Sequence, residues 1–215
     1  MLPFSPIVAS GRSAGLAVLD QASIIVLARN YNPSIVSCDW LLAKGILAGP
    51  FINFVHTPAF SLVEEESLAL IVDDTRLQLQ LKQPSAENVT RLEGAALLFV
   101  QSLPETPYVA IGLNFRFRVR GSSLDLETIV TPKKAKLRRL FGAGYEIGAR
   151  VAFDQDGFRA TVLIPSEATA NDFRHVHFNY HADVAGAAEA SEKISRHNSA
   201  FANAQAVLTG LAPDG

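Results

Sequence analysis

Cysteine occurs once, at Cys38, so no internal disulfide can form and no cysteine cluster is available to hold zinc. That scarcity points to a reducing compartment, and a cytoplasmic protein is expected. No run of eighteen apolar residues exists, so no membrane-spanning helix is expected and no membrane is among the expected partners. The first residues, MLPFSPIVAS, lack a basic stretch followed by an apolar core, so no signal peptide is expected. Familiar cofactor signatures are missing as well. There is no G-x-x-x-x-G-K-[ST] loop, and Gly142, Gly144 and Gly148 precede a strand where the dinucleotide fingerprint must open a helix. Serine and histidine are present, but no nucleophile-elbow pattern places them. No cofactor is expected.

What is present suits a folded body. The 215 residues are 48% hydrophobic and 19% charged, enough apolar material for one large domain or two closely packed halves. A net charge of -2 conceals a strong asymmetry. Residues 116–139 hold eight bases (Arg116, Arg118, Arg120, Lys133, Lys134, Lys136, Arg138, Arg139) and two acids, Asp125 and Glu127. That window is +6, and the remainder of the chain is therefore -8.

Residues 107–121, PYVAIGLNFRFRVRG, alternate with period two. Val109, Ile111, Leu113, Phe115, Phe117 and Val119 form one face; Tyr108, Ala110, Gly112, Asn114, Arg116, Arg118 and Arg120 form the other. This is the pattern of a long strand with one buried face and one that turns basic. Before it, residues 1–21 sustain no period and read as an arm. Ser23–Asn30 reads as a buried strand, and Cys38–Leu47 as a helix capped by Ser37 with Gly49 just past its end. Strands are expected over 51–60, 67–72 and 76–82, then a helix from Ala86 to Leu103 capped by Ser85. Beyond the long strand the order recurs. Thr131 and Pro132 open a helix that Gly142 ends. Strands follow over 145–153, 158–164 and 173–184, and a last helix spans 187–208.

Each half thus reads β-α-β-β-β-α, divided as an arm (1–21), a first half (22–104) and a second half (105–215) of one domain. Ser34-Ile35-Val36-Ser37 echoes Thr128-Ile129-Val130-Thr131 ahead of corresponding helices. The expected fold class is α+β: a duplicated unit giving a mostly antiparallel sheet of about eight strands with helices on one face. In order of elements this resembles the saddle-shaped TATA-binding fold, an analogy of topology alone that carries no function.

By parity, the face away from the helices carries Gln78, Gln80, Lys82, Asn114, Arg116, Arg118 and Arg120. In the second half it adds Glu146, Arg150, Arg159, Thr161, His175, His177, Asn179 and His181. An antiparallel sheet ordinarily has a solvated side, and these residues fit that account. Arginine, however, predominates over lysine there, and its planar fork binds phosphate and carboxylate and stacks on bases. The helix PKKAKLRRLFG adds five bases in seven residues, with Leu137, Leu140 and Phe141 expected to anchor it. Its self-repulsion needs an offsetting anion, either a ligand or the chain's own Glu64-Glu65-Glu66. In HVHFNYHADV, His175 and His177 are spaced to share a metal on a strand, whereas His181 lies too far along.

The function expected from these residues is a non-enzymatic binding or assembly module. Asn114, Arg116, Arg118, Arg120, Lys133, Lys134, Lys136, Arg138 and Arg139 would bind nucleic acid or an acidic protein partner. One alternative is homo-oligomerisation or docking in a larger assembly, through that face or the arm. The other is a metal-dependent enzyme centred on His175 and His177.

Overall fold

The computed structural model describes residues 17–120, 124, 130, 133–166 and 172–211. In chain order the first half holds β1 (Ala17–Ala28), a 3-10 turn (Pro33–Ile35), α1 (Cys38–Ala43), β2 (Asn53–Thr57), β3 (Phe60–Glu64), β4 (Leu68–Val72), β5 (Arg76–Leu81) and α2 (Ala86–Ser102). The second holds β6 (Tyr108–Arg120), α3 (Lys134–Phe141), β7 (Ala149–Gln155), β8 (Phe158–Ile164), β9 (Phe173–Asp183), α4 (Ala187–Ile194) and α5 (His197–Gly210). All nine strands join one antiparallel sheet in the order β2-β3-β4-β5-β1-β6-β9-β8-β7. The fold class is α+β, as expected, with one strand more than the sequence pattern implied.

The two longest strands, β1 and β6, pair at the centre. Their apolar residues face α2, α4 and α5. Ile24, Leu113, Phe115 and Phe117 meet Val89, Leu92, Ala96 and Phe99 from α2, Ile194 from α4, and Phe201 from α5, all within one core. Phe115 and Phe117 lie 5.5 and 6.0 Å from the Phe201 ring. At the other end Tyr31, Trp40, Phe99 and Tyr108 pack edge to face. Offset and edge-on rings bring positive edges to negative faces, which adds to the area buried.

Local signals placed most boundaries. Ser37 accepts a bond from the Trp40 amide and Ser85 from the Asn88 amide, so both expected N-caps form. The β7–β8 hairpin turns on Asp156 and Gly157, both at positive φ (49° and 77°), which matches the right-handed twist of the flanking strands. Departures have identifiable causes. Helix α1 stops at Ala43, ahead of Gly45 at φ 64°, and not near Gly49. The span 51–60 is not one strand: Pro58 and Ala59 form an unforeseen turn, and β3 follows. The last helix breaks at Ser195 and Arg196 into α4 and α5. Strand β7 starts at Ala149, which leaves Tyr145 and Glu146 outside it.

Two departures concern the centre of the sheet. Strand β1 begins at Ala17, inside the stretch read as an arm, because Ala17–Leu19 pair with Phe117–Val119 of β6. A register shift between Leu27 and Ala28 skips Val109, and Tyr108 therefore turns into the core instead of lying on the wet face.

The basic helix α3 is also not as expected. It begins at Lys134, with Lys133 in the N-cap position and no side-chain cap; Thr131 and Pro132 lie outside the described residues. None of its residues is buried. Leu140 and Phe141 are 58% and 65% exposed, so they do not anchor it. Nor do the three glutamates offset its charge. Glu64 pairs with Lys82 at 3.3 Å, Glu65 is buried against Arg91, and Glu66 accepts from Gln83.

Candidate functional site

Strand parity places the predicted polar residues of the long strand on the face opposite the helices. Cross-strand registers then assemble them into rows. One row runs Gln21, Arg116, His177, Leu163, Arg150 from β1 to β7. The next runs Gln80, Ser23, Asn114, Asn179, Thr161. A third sets Val18, Arg118 and His175 side by side, and His181 stands beside Arg159. Between the first two rows the sheet forms an open pocket of about 420 Å³, lined among others by Asn114, Arg116, Arg150, Thr161, His177 and Asn179. That volume lies within the range of ligand sites, roughly 300–1,000 Å³.

Sequence pattern missed one residue of this site, Asp20. A bulge between Leu19 and Gln21 brings its carboxylate onto the open face, where it accepts from Arg116 Nε at 2.5 Å and lies 4.0 Å from His175 Nε2. A signal was available. The inward residues of β1 are Leu19 on one parity and Ala22, Ile24 and Val26 on the other, and such a phase slip marks a bulge.

The remaining contacts show which groups are committed. Asn179 Nδ2 donates to Asn114 Oδ1 at 2.7 Å, which aligns the two amides across β6 and β9. Arg159 pairs with Asp154 and His181 with Asp183. The Arg118 guanidinium lies over the Phe173 ring, 5.1 Å from its centre. Arg118, Arg120 and Arg150 have no carboxylate partner among the described residues. Partial burial pushes the His177 pKa below its ordinary value, and the positive charges of Arg116 and His175 push it further; Asp20 opposes them. This face is therefore rich in donors, with cations in excess of anions.

Lys134, Lys136, Arg138 and Arg139 lie on the exposed helix α3 with Lys133 in its N-cap position, and none of the five lines the pocket. Among the described residues no group of three or more His, Cys, Asp or Glu converges as metal ligands would. No protein-family model matches the chain, and no curated protein resembles it in sequence.

Proposed function

We propose that the protein is a non-enzymatic binding module that takes nucleic acid on the basic half of its open sheet face. One observation carries the reading: Arg116 and Arg150 line a pocket together with amides, a hydroxyl and His177, and Arg150, with Arg118 and Arg120 farther along β6, has no carboxylate partner among the described residues. Phosphate oxygens are acceptors in need of donors, and Arg forks supply two each. The Arg118–Phe173 pair adds a flat surface on which a base can stack. Exposed bases on α3 are further cations that a longer strand could meet. The matched places of β1 and β6, β5 and β9, and β4 and β8 about the centre of the sheet support a duplicated-unit reading of the fold.

The test is fluorescence anisotropy with labelled single-stranded and duplex oligonucleotides over a salt series. Each phosphate contact releases condensed counterions, so affinity should fall steeply with salt. Replacing Arg118, Arg120 and Arg150 together by Gln should lower the log–log slope by about 2 to 3. The melting temperature should stay nearly unchanged, because the three are exposed and none of them forms a salt bridge among the described residues. Wild-type protein that binds no oligonucleotide at low salt would rule the reading out.

Binding should also depend on pH, with a defined sign. His177 faces Arg116 on β6, His175 and Asn179 on its own strand, Leu163 on β8 and, through the bulge, Asp20 on β1. In the free protein partial burial, and after it the charges of Arg116 and His175, disfavour the imidazolium against the pull of Asp20. A bound phosphate reverses that balance, so binding takes up a proton and affinity rises as pH falls from 8 toward 5.5. A His177→Gln variant should show a flatter pH profile at unchanged salt slope.

A further inference from the structure

At the opposite end of the sheet, the edge strand β2 is exposed along its whole length. Ile52, Phe54 and Val55 are 61%, 45% and 42% exposed. Alternate N–H and C=O groups of an edge strand point outward with no ladder to join. Natural monomers guard such edges with charge, proline or a bulge. Residues 51–60, FINFVHTPAF, contain no charged side chain, and the β2–β3 register runs without a bulge. Pro58 lies beyond the strand, in the turn. The other edge, β7, is guarded, since it carries Arg150 and Asp154. Ile35 of the 3-10 turn and Leu42 of α1 are exposed near the same end, so the apolar surface extends past the strand.

We infer that β2 is a self-association edge, and that its partner is β2 of a second copy of this chain. The strand is self-complementary when laid antiparallel on itself about Val55. That register sets Val55 against Val55 of the second copy, Phe54 against His56, and Asn53 against Thr57. Phe54 and His56 already stack within one chain, with ring centres 5.7 Å apart and planes 13° apart, so the pairing would place four rings together on the helix side of the sheet. No like charges meet anywhere along this pairing, which an arbitrary partner strand would not guarantee. The two-fold arrangement is closed, joining two nine-stranded sheets into one and removing both unguarded edges.

The measurement is mass by light scattering across a dilution series up to about 100 μM, where mass action separates a dimer from a chain of 23.2 kDa. Wild-type protein should be dimeric. V55K and V55E should each weaken association by at least about 100-fold, because the two-fold places like charges face to face. Mixing V55K with V55E should restore the dimer, an outcome that misfolding of either variant cannot produce. A monomeric wild type, a dimer that survives V55K, or a mixture that stays monomeric would each overturn the inference. The salt slope for oligonucleotides should be the same for V55K and wild type, so the two readings fail or stand separately.

Discussion

Lowering the pH from 7 to 5 should cost about 2 kcal/mol of folding stability through His197 alone. This residue opens α5, is fully buried, and has neither ring nitrogen hydrogen-bonded. It packs against Phe115, ring centres 5.0 Å apart. Burial pushes its pKa down from the ordinary 6.5 to about 3. The positive end of the α5 dipole also disfavours a cation in the first turn. Because the folded pKa lies below the unfolded one, the unfolded chain takes up the proton first as pH falls. Stability present above pH 6.5 is therefore lost progressively toward pH 3, by as much as about 5 kcal/mol. Carboxylates elsewhere add their own acid dependence, so the decisive quantity is a difference between two proteins. In urea titrations at pH 7 and pH 5, His197→Leu should lose about 2 kcal/mol less than wild type. Leucine leaves no buried polar atom unsatisfied, so the variant should be no less stable at pH 7 by more than about 1 kcal/mol. Equal acid losses in the two proteins would refute this account.

Removal of the Glu65 side chain should lower stability by about 3 kcal/mol, or roughly 6–12 °C in melting temperature for a chain of this size. Glu65 follows β3 and is buried, and three parts of the first half meet on it. Its Oε2 accepts the Ala48 and Gly49 amides at 3.2 and 3.1 Å, which ties down the connection from α1 to β2. Its Oε1 accepts from Arg91 of α2, and Arg91 also bonds Ser67 Oγ. Without the carboxylate, two amides and a guanidinium lose their acceptor at once. Arg91 is partly exposed and can be rehydrated, which keeps the loss below that of a fully buried pair. Glu65→Gln retains one acceptor and should cost about half as much. Thermal melts of Glu65→Ala, Glu65→Gln and Glu66→Ala decide the matter; Glu66 is exposed and its variant should melt with wild type. If Glu65→Ala also melted there, this clamp would contribute nothing.

Glu65 also illustrates how far the chain could be read before its fold was known. In sequence it is the middle of three glutamates, and nothing local distinguishes it from Glu64 and Glu66. Its burial follows from where α2 carries Arg91, 26 residues away. The open face was more legible. Period-two alternation placed Arg116, Arg118, His175, His177 and Asn179 on one side, and their cross-strand pairs agree. Asp20 was not recognised, although the phase slip in β1 marked its bulge. The exposure of Leu140 and Phe141 could not have been foreseen, because amphipathic spacing says which residues share a side and not what that side meets.

By itself the sequence determined what depends on neighbours a few residues apart. That includes the Ser37 and Ser85 caps, the Asp156-Gly157 turn, the strand and helix periods, and the alternation that separates a polar face from an apolar one. Tertiary structure alone decided which strands are neighbours, which edges stay open, and which charges neutralise one another. Those outcomes depend on contacts between residues far apart in the chain, such as Asp20 with Arg116, whose free energies exist only once the sheet has closed around its core.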